Sequence, residues 1–138
     1  MIDYPKIRDA LQLALADQLG TYTFSNGLST PAVQIDDDSA PYSESPDVEG
    51  LELVVVPNAA VAIAPTIGGT TQTLGGLLIL RQHNSDFTTE AAMNIALDVF
   101  SSDFPELALS RAERLRSKNK LDTNETFSVR FSQQFLIN

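Results

Sequence analysis

The segment TLGGLLILRQHNSDFTTEAAMNIALDVF, residues 73–100, decides the fold of this chain. A compact apolar run at residues 77–80 is bounded by Gly75–Gly76 before it and Asn84–Ser85 after it. Such a bounded apolar run is typical of a central strand. A helical pattern begins at Thr88. The sequence therefore predicts a strand at the centre of a sheet, followed by a helix that lies across it.

The N-terminal part supplies a second helix and two short strands. Residues 7–19 carry apolar side chains at helical spacing, and Gly20 is the expected stop. Residues 21–24 and 32–35 are short and β-prone, and Asn26–Gly27 between them is a turn signal. We therefore expect a helix that packs on the sheet, followed by two strands.

The middle of the chain predicts a second central strand and two loops. Residues 51–56 are almost entirely Leu and Val, and Pro57 is expected to end this strand. A β-compatible run continues over residues 59–64. The acidic, proline-containing residues 36–49 predict a long exposed loop, and the Gly- and Thr-rich residues 66–73 predict a mobile hairpin tip.

The C-terminal part predicts two more strands. Residues 107–116 suit a helix by propensity and also suit a strand with leucines on one face. We predict a strand, because the next segment needs a partner. That segment, residues 126–137, alternates apolar and polar side chains, and only Gln133 interrupts its apolar face.

These elements follow one another in the order α-β-β-β-β-α-β-β. The prediction is one domain, residues 1–138, of the α+β class. A single mainly antiparallel or mixed β-sheet would carry two α-helices packed on one face, as an α/β sandwich with long loops.

Composition narrows the classes of function. The chain has 138 residues, of which 43% are hydrophobic and 20% charged, and it has no cysteine, so thiolate chemistry and disulfides are excluded. No apolar run is long enough to span a membrane, and residues 1–11 do not have the pattern of a signal peptide. The net charge of -9 disfavours tight binding of nucleic acid, which needs clustered Lys and Arg.

The charge is unevenly distributed along the chain. Residues 1–110 hold 15 acidic and 3 basic residues, whereas residues 111–138 hold 3 acidic and 6 basic residues. Such asymmetry suits one surface that meets a complementary surface on another copy.

No set of residues with catalytic roles is visible, and we expect no enzyme, cofactor or metal. His83 is the only histidine, and a surface or interface histidine with a local hydrogen bond is the favoured interpretation. A carboxylate site built from Glu52, Asp86, Asp98 and Asp103 remains the enzymatic alternative. The aspartates at positions 36–38 with Glu44 do not have the spacing of an EF-hand calcium loop.

The layout resembles the tail-terminator (tail-completion) proteins of long-tailed bacteriophages. The features that carry the resemblance are the N-terminal amphipathic helix (residues 7–19), the strands DVEGLELVVVP (residues 47–57) and LLILRQHN (residues 77–84), the helix opened by TTEAA (residues 88–92), and the last strand ETFSVRFSQQFLIN (residues 125–138). The resemblance covers nearly the whole chain, in layout and rhythm.

The resemblance implies a structural virion protein without catalytic residues. Such proteins form a hexameric ring that caps the tail tube, ends its polymerisation and joins it to the head connector. The implied partners are other copies of the chain, the tail tube protein, the head–tail connector or stopper protein, and the sheath protein if the tail is contractile. DNA would pass through the lumen without specific binding. The implied location is the tail or neck of the virion, assembled in the cytoplasm of the host bacterium.

A ring needs a heterologous interface, in which one patch meets a different patch on the neighbour. The candidate subunit interface consists of a basic set, Arg111, Arg114, Arg116, Lys118 and Lys120, and an acidic set, Asp36, Asp37, Asp38 and Glu44. Solvated surface is the alternative interpretation of both sets. Another phage neck, head–tail adaptor or baseplate protein is the alternative function.

Overall fold

The computed structural model describes residues 2–36, 46–83, 88–116 and 125–137. In this part of the chain the elements are, in order, α1 (Tyr4–Ala14), β1 (Thr21–Thr23), β2 (Ser29–Pro31), β3 (Val33–Ile35), β4 (Asp47–Thr66), β5 (Gly69–His83), α2 (Glu90–Asp103), β6 (Ala108–Arg116) and β7 (Glu125–Ile137). The strands form a seven-stranded sheet in the order β2-β1-β4-β5-β7-β6, with β3 also beside β4. Only β3 runs parallel to its neighbour, so the predicted α+β class and mainly antiparallel sheet are confirmed.

Both helices cover the same face of the sheet. The buried core combines helix residues such as Ile7, Leu11 and Phe100 with alternate residues of the central strands, among them Leu53 and Phe131. Because side chains alternate along a strand, the residues between these core positions point to the opposite face of the sheet. We refer to this opposite face as the back face.

The hairpin of β4 and β5 is longer than the sequence predicts. Strand β4 continues through Pro57, which lies opposite Gly76, and a register shift follows between Asn58 and Ala62. Pro57 is tolerated because, among the described residues, β4 has no neighbour at this point on the side away from β5. The predicted end of the strand at Pro57 is therefore wrong.

The predicted hairpin tip at residues 66–73 is present, but the predicted length of its loop is wrong, because most of this segment is strand. Thr66 pairs with Gly69, so that only Ile67 and Gly68 form the turn. Gly68 has a φ of 93°, a left-handed conformation that glycine adopts without strain. Thr- and Gly-rich strands lack the apolar alternation from which a strand is predicted, since neither face of this ribbon is buried.

Three strands extend past the helices. We call this extension the arm; it consists of residues 62–66 of β4, 69–73 of β5 and 133–137 of β7. No described side chain of the arm is buried. We call the helix-covered part of the same three strands, residues 51–56, 77–82 and 125–131, the body.

The N-terminal region differs in detail from the prediction. Helix α1 ends at Ala14, and Gly20 instead lies where a Cβ atom would be 1.8 Å from the carbonyl oxygen of Glu49. The Asn26–Gly27 turn is confirmed, but it joins β1 to β2, a strand that the sequence did not indicate. The predicted strand 32–35 is present as β3. Residues 107–116 form the predicted strand β6, and the helical alternative is wrong.

Candidate functional site

The described members of the basic set of predicted interface residues lie on one edge of the sheet. Arg111, Arg114 and Arg116 lie on β6, which pairs with β7 and has no other neighbour among the described residues. Lys118 and Lys120 lie outside the described residues. The structure therefore places the start of the basic segment along a sheet edge, and its role as an interface stays a prediction.

Arg114 has a partner within its own chain that the sequence did not indicate. Its Nε atom lies 3.1 Å from Oε1 of Glu125, a side chain that is only 3% exposed. The same oxygen accepts hydrogen bonds from the backbone N–H and the hydroxyl of Thr89, at 2.9 and 2.8 Å. Glu125 thus satisfies an orphan donor at the start of α2, where the N-cap residue's own side chain makes no capping bond.

This ion pair changes the role expected for Arg114. The guanidinium is about half exposed, so it remains accessible from the sheet edge while it neutralises a buried carboxylate. Replacing Arg114 by an acid would place two carboxylates together, and the fold would lose stability. The prediction that Arg114 lies at an interface stays a prediction, and its role in the fold is an addition to it.

Asp36, the one described member of the acidic set, lies toward the opposite edge of the sheet. Asp36 is exposed directly after β3, and its backbone N–H bonds the carbonyl of Val55 at 2.9 Å. Asp37, Asp38 and Glu44 lie outside the described residues. Asp47 and Glu49, at the start of β4, are exposed beside β1. Asp36, Asp47 and Glu49 therefore lie on the side of the sheet opposite the three arginines of β6, although β6 also carries the exposed acid Glu113.

A polar cluster on the back face is built around a buried carboxylate. Glu52 is 5% exposed, and its Oε2 atom accepts a 2.6 Å hydrogen bond from the hydroxyl of buried Tyr22. Its Oε1 atom lies 2.8 Å from Nε2 of His83 and 3.9 Å from Nη1 of Arg81. Gln34 completes the cluster with a long contact of 3.5 Å.

This cluster joins β1, β3 and β5 to β4 through one side chain. The favoured interpretation of His83 predicts a local hydrogen bond at the surface, but the structure gives a half-buried histidine bonded across strands to Glu52. A single acid inside the run LELVVV is the only sequence signal for it. Its partner Tyr22 lies 30 residues away in sequence, and only the fold brings them together.

The enzymatic alternative predicts that several carboxylates meet, and the described ones do not. Asp98 and Asp103 are exposed on α2, which covers the other face of the sheet from Glu52. Asp86 lies outside the described residues. Among the described residues, no three His, Asp or Glu side chains are placed to hold one metal ion.

An open cavity of about 310 Å³ lies between the end of α1 and the β1–β2 hairpin. Its lining includes Gln12, Leu19, Thr21 and Thr30, and it contains no charged side chain. The Thr30 hydroxyl is buried and has no hydrogen-bond partner among the described residues. The lining offers neither a nucleophile–base pair nor a charged group for catalysis.

The chain matches no protein-family model and no curated protein sequence. Within the described residues, neither helix has the length and apolar character needed to cross a membrane.

Proposed function

We propose that this chain is a structural assembly protein of a bacteriophage tail, and that it forms a ring that caps the tail tube. In this role it ends tube polymerisation and offers a docking surface to the head connector. The partners are further copies of the chain, the tube protein, the connector or stopper protein and, in a contractile tail, the sheath protein. The proposal comes from the resemblance to tail-terminator proteins, whose predicted α+β layout the chain has.

One observation supports the ring more than any other: a group of arginines and a group of exposed acids lie on opposite sides of the sheet, with Glu113 as the one acid on the arginine strand. Arginines lie along β6, whereas exposed Asp36, Asp47 and Glu49 lie at the side of β1 and β3. Two copies related by a rotation would bring the basic side of one against the acidic side of the next. A closed ring is built from such heterologous contacts.

The overall charge also suits a channel for DNA. A net charge of -9 repels phosphates, so that DNA would pass through a lumen of this protein without being retained. This is a general electrostatic effect and needs no individual binding residue.

The function is tested by adding the purified chain to a tail-tube protein that is polymerising. We expect tubes that stop growing, each with a ring at its end in negative-stain electron microscopy. Light scattering of the chain alone, across a concentration series, shows whether the ring forms without the tube. Tubes of unchanged length without a terminal ring would contradict the proposal. Binding to connector rings alone would instead indicate a head–tail adaptor.

The charged edges are tested by reversing Arg111 to Glu. Arg114 and Arg116 are left in place, because Arg114 pairs with Glu125 and Arg116 lies directly opposite Glu125 in the strand register. We expect slower ring assembly at low salt and a smaller difference at high salt, where exposed charges are screened. Arg130→Glu is the matched control, because Arg130 is an exposed arginine on the interior strand β7. Equal effects of Arg111→Glu and of the control would argue against the edges as the interface.

A further inference from the structure

Within the described residues, the arm has two open sides. On β4, the last described neighbour is β3, whose pairing ends at Ile35 opposite Val55. On β7, the last pair with β6 is Ser132 with Ala108. Beyond these points the described residues provide no further strand, so residues 62–66 and 133–137 present backbone donors and acceptors at two edges. Unpaired strand edges are templates for pairing with another chain.

The arm is also free of charge in a highly charged protein. No charged residue occurs between Leu53 and Leu80 or from Phe131 to the last residue, although the net charge of the chain is -9. Exposed edges in soluble proteins are commonly guarded by charged side chains, bulges or short strands. Edge strand β6 has such guards, with several charged residues and a register shift after Ser110. The β4 edge of the arm has Pro65 and a preceding register shift between Asn58 and Ala62 but no charged side chain. The β7 edge of the arm has no charge, proline or register shift, which suits a strand edge that another chain covers.

Prolines distinguish the two edges of the arm. Strand β4 contains Pro57 and Pro65, each of which lacks an N–H group, whereas β7 contains no proline. Two β4 edges would pair poorly with each other, because both would be short of donors. A β4 edge against a β7 edge loses fewer hydrogen bonds. The prolines therefore favour contact between two different edges over contact between two identical ones.

The charges of the sheet indicate the same pairing. The β7 edge of the arm is on the same side of the sheet as the arginines of β6, and the β4 edge is on the side of Asp36. When β7 of one copy approaches β4 of the next, the basic and acidic sides of the two copies also meet. Strands β4 and β7 are both antiparallel to β5, so they run parallel to each other. Rotation around a ring preserves this direction.

From these observations we propose that the arm is the self-association element of this chain. The partner is a second copy, and the β7 edge of one arm pairs in parallel with the β4 edge of the next. This inference rests on the proposed ring, because it names the edges through which the subunits of that ring would meet. Ring formation and the arm contact are nevertheless measured separately below.

The test uses cysteines, of which the natural chain has none. Ala64 and Leu136 are exposed, and both lie directly opposite Thr71, one on each side of β5. Their Cα atoms are therefore about 9–10 Å apart within one copy, two strand spacings. A disulfide needs a Cα separation below about 7 Å, so Ala64→Cys with Leu136→Cys cannot close within one chain. Any disulfide between the two positions joins neighbouring copies.

Under mild oxidation of the assembled protein, we expect the double variant to give a ladder of covalent oligomers that ends at the ring. A second pair, Ala64→Cys with Gln134→Cys, would form the disulfide if the two strands of neighbouring copies pair in a register shifted by two residues. Each single-cysteine variant should remain uncrosslinked. Rings in electron microscopy without a ladder from either pair would overturn the arm contact and leave the proposed function standing. Absence of rings and ladders alike would overturn both, and a dimer from Leu136→Cys alone would show β7 pairing with itself.

A charge placed on the open edge gives an independent measurement. Gln134 and Thr73 are directly opposite each other on β7 and β5, so their side chains share one face and one depth in the arm. Of these two residues, only Gln134 lies on a strand that has an open edge among the described residues. We expect Gln134→Lys to reduce assembly strongly and Thr73→Lys to reduce it little, with both variants folded. Equal assembly of the two variants would contradict edge pairing.

Discussion

Strand β7 passes through two different environments. In the body, Phe127, Val129 and Phe131 are each 1% exposed, whereas in the arm Leu136 of the same strand is 60% exposed. The body is stabilised by burial within one chain. The arm has regular hydrogen bonding between its strands but no buried side chain among those described. Burial within one chain therefore stabilises the body and leaves the apolar side chain of Leu136 in the arm exposed.

The largest expected contrast between body and arm is in core packing. Phe131 lies against Phe100, with ring centroids 5.4 Å apart, and against Gly76. We expect Phe131→Ala to lower the free energy of unfolding by about 3–5 kcal/mol. Leu136→Ala on the same strand should change it by less than about 0.5 kcal/mol. Urea unfolding of the monomer measures both, and equal losses would remove the distinction between body and arm.

The next contrast concerns buried side-chain hydrogen bonds that connect separate elements of the fold. In Glu125→Ala, the N–H and hydroxyl of Thr89 lose a common acceptor in a buried position. We expect a loss of about 2–3 kcal/mol, since unsatisfied buried groups are costly. Gln134→Ala, an exposed polar substitution on the same strand, is the control and should cost less than about 0.5 kcal/mol. A negligible effect of Glu125→Ala would mean that water satisfies Thr89 equally well.

The next comparison is between two tyrosine hydrogen bonds, one within the body and one near the start of the arm. Tyr22 donates to the buried carboxylate of Glu52, whereas Tyr4 donates to the carbonyl of Gly75, near the point where the arm begins. We expect Tyr22→Phe to cost about 1.5–3 kcal/mol and Tyr4→Phe about 0.5–1.5 kcal/mol, because hydrogen bonds to charged groups contribute more. Thermal unfolding ranks the two variants. The reverse order would show that the Glu52 cluster adds little to the body.

The smallest expected difference between arm and body is in the rate of local opening, which is measured without changing the stability of the protein. Amide protons of the arm should exchange faster than those of the body in the monomer, because few buried contacts oppose local opening there. Assembly should slow exchange at residues 62–66 and 133–137 if these edges become paired. Hydrogen exchange followed by mass spectrometry measures both states. Protection that is the same before and after assembly would place the interface elsewhere.

The sequence predicts the body well because burial leaves a periodic signal. The alternation of residues 126–137 and the apolar run at residues 77–80 both mark central strands that the structure contains. The helix predicted after Thr89 is also present, and its apolar residues at helical spacing are the signal that predicts it. The edge strand β6 is predicted because the apolar strand β7 needs a pairing partner on its second side. The same argument applies to any apolar strand that is expected to be interior.

The strands of the arm and the buried side-chain hydrogen bonds between distant residues could not be predicted in this way. Residues 69–73 form part of a strand in which no side chain is fully buried, so hydrophobic periodicity is absent there. Glu125 and Thr89 are 36 residues apart, and nothing local marks either as the other's partner. Of the predicted interface residues, the structure places Arg111, Arg114, Arg116 and Asp36 toward opposite sides of the sheet, and the others lie outside the described residues.

The continuity of β5 and β7 from the body into the arm has a mechanical consequence. Tension applied to the arm along its strands acts on the many hydrogen bonds of the body in parallel, because the two strands are paired from Thr70–Ile137 to Gln82–Glu125. Tension across the strands would instead break these bonds one after another, as in unzipping. The protein should therefore resist a pull along the arm far better than a sideways pull. A joint that must hold under axial strain needs this anisotropy.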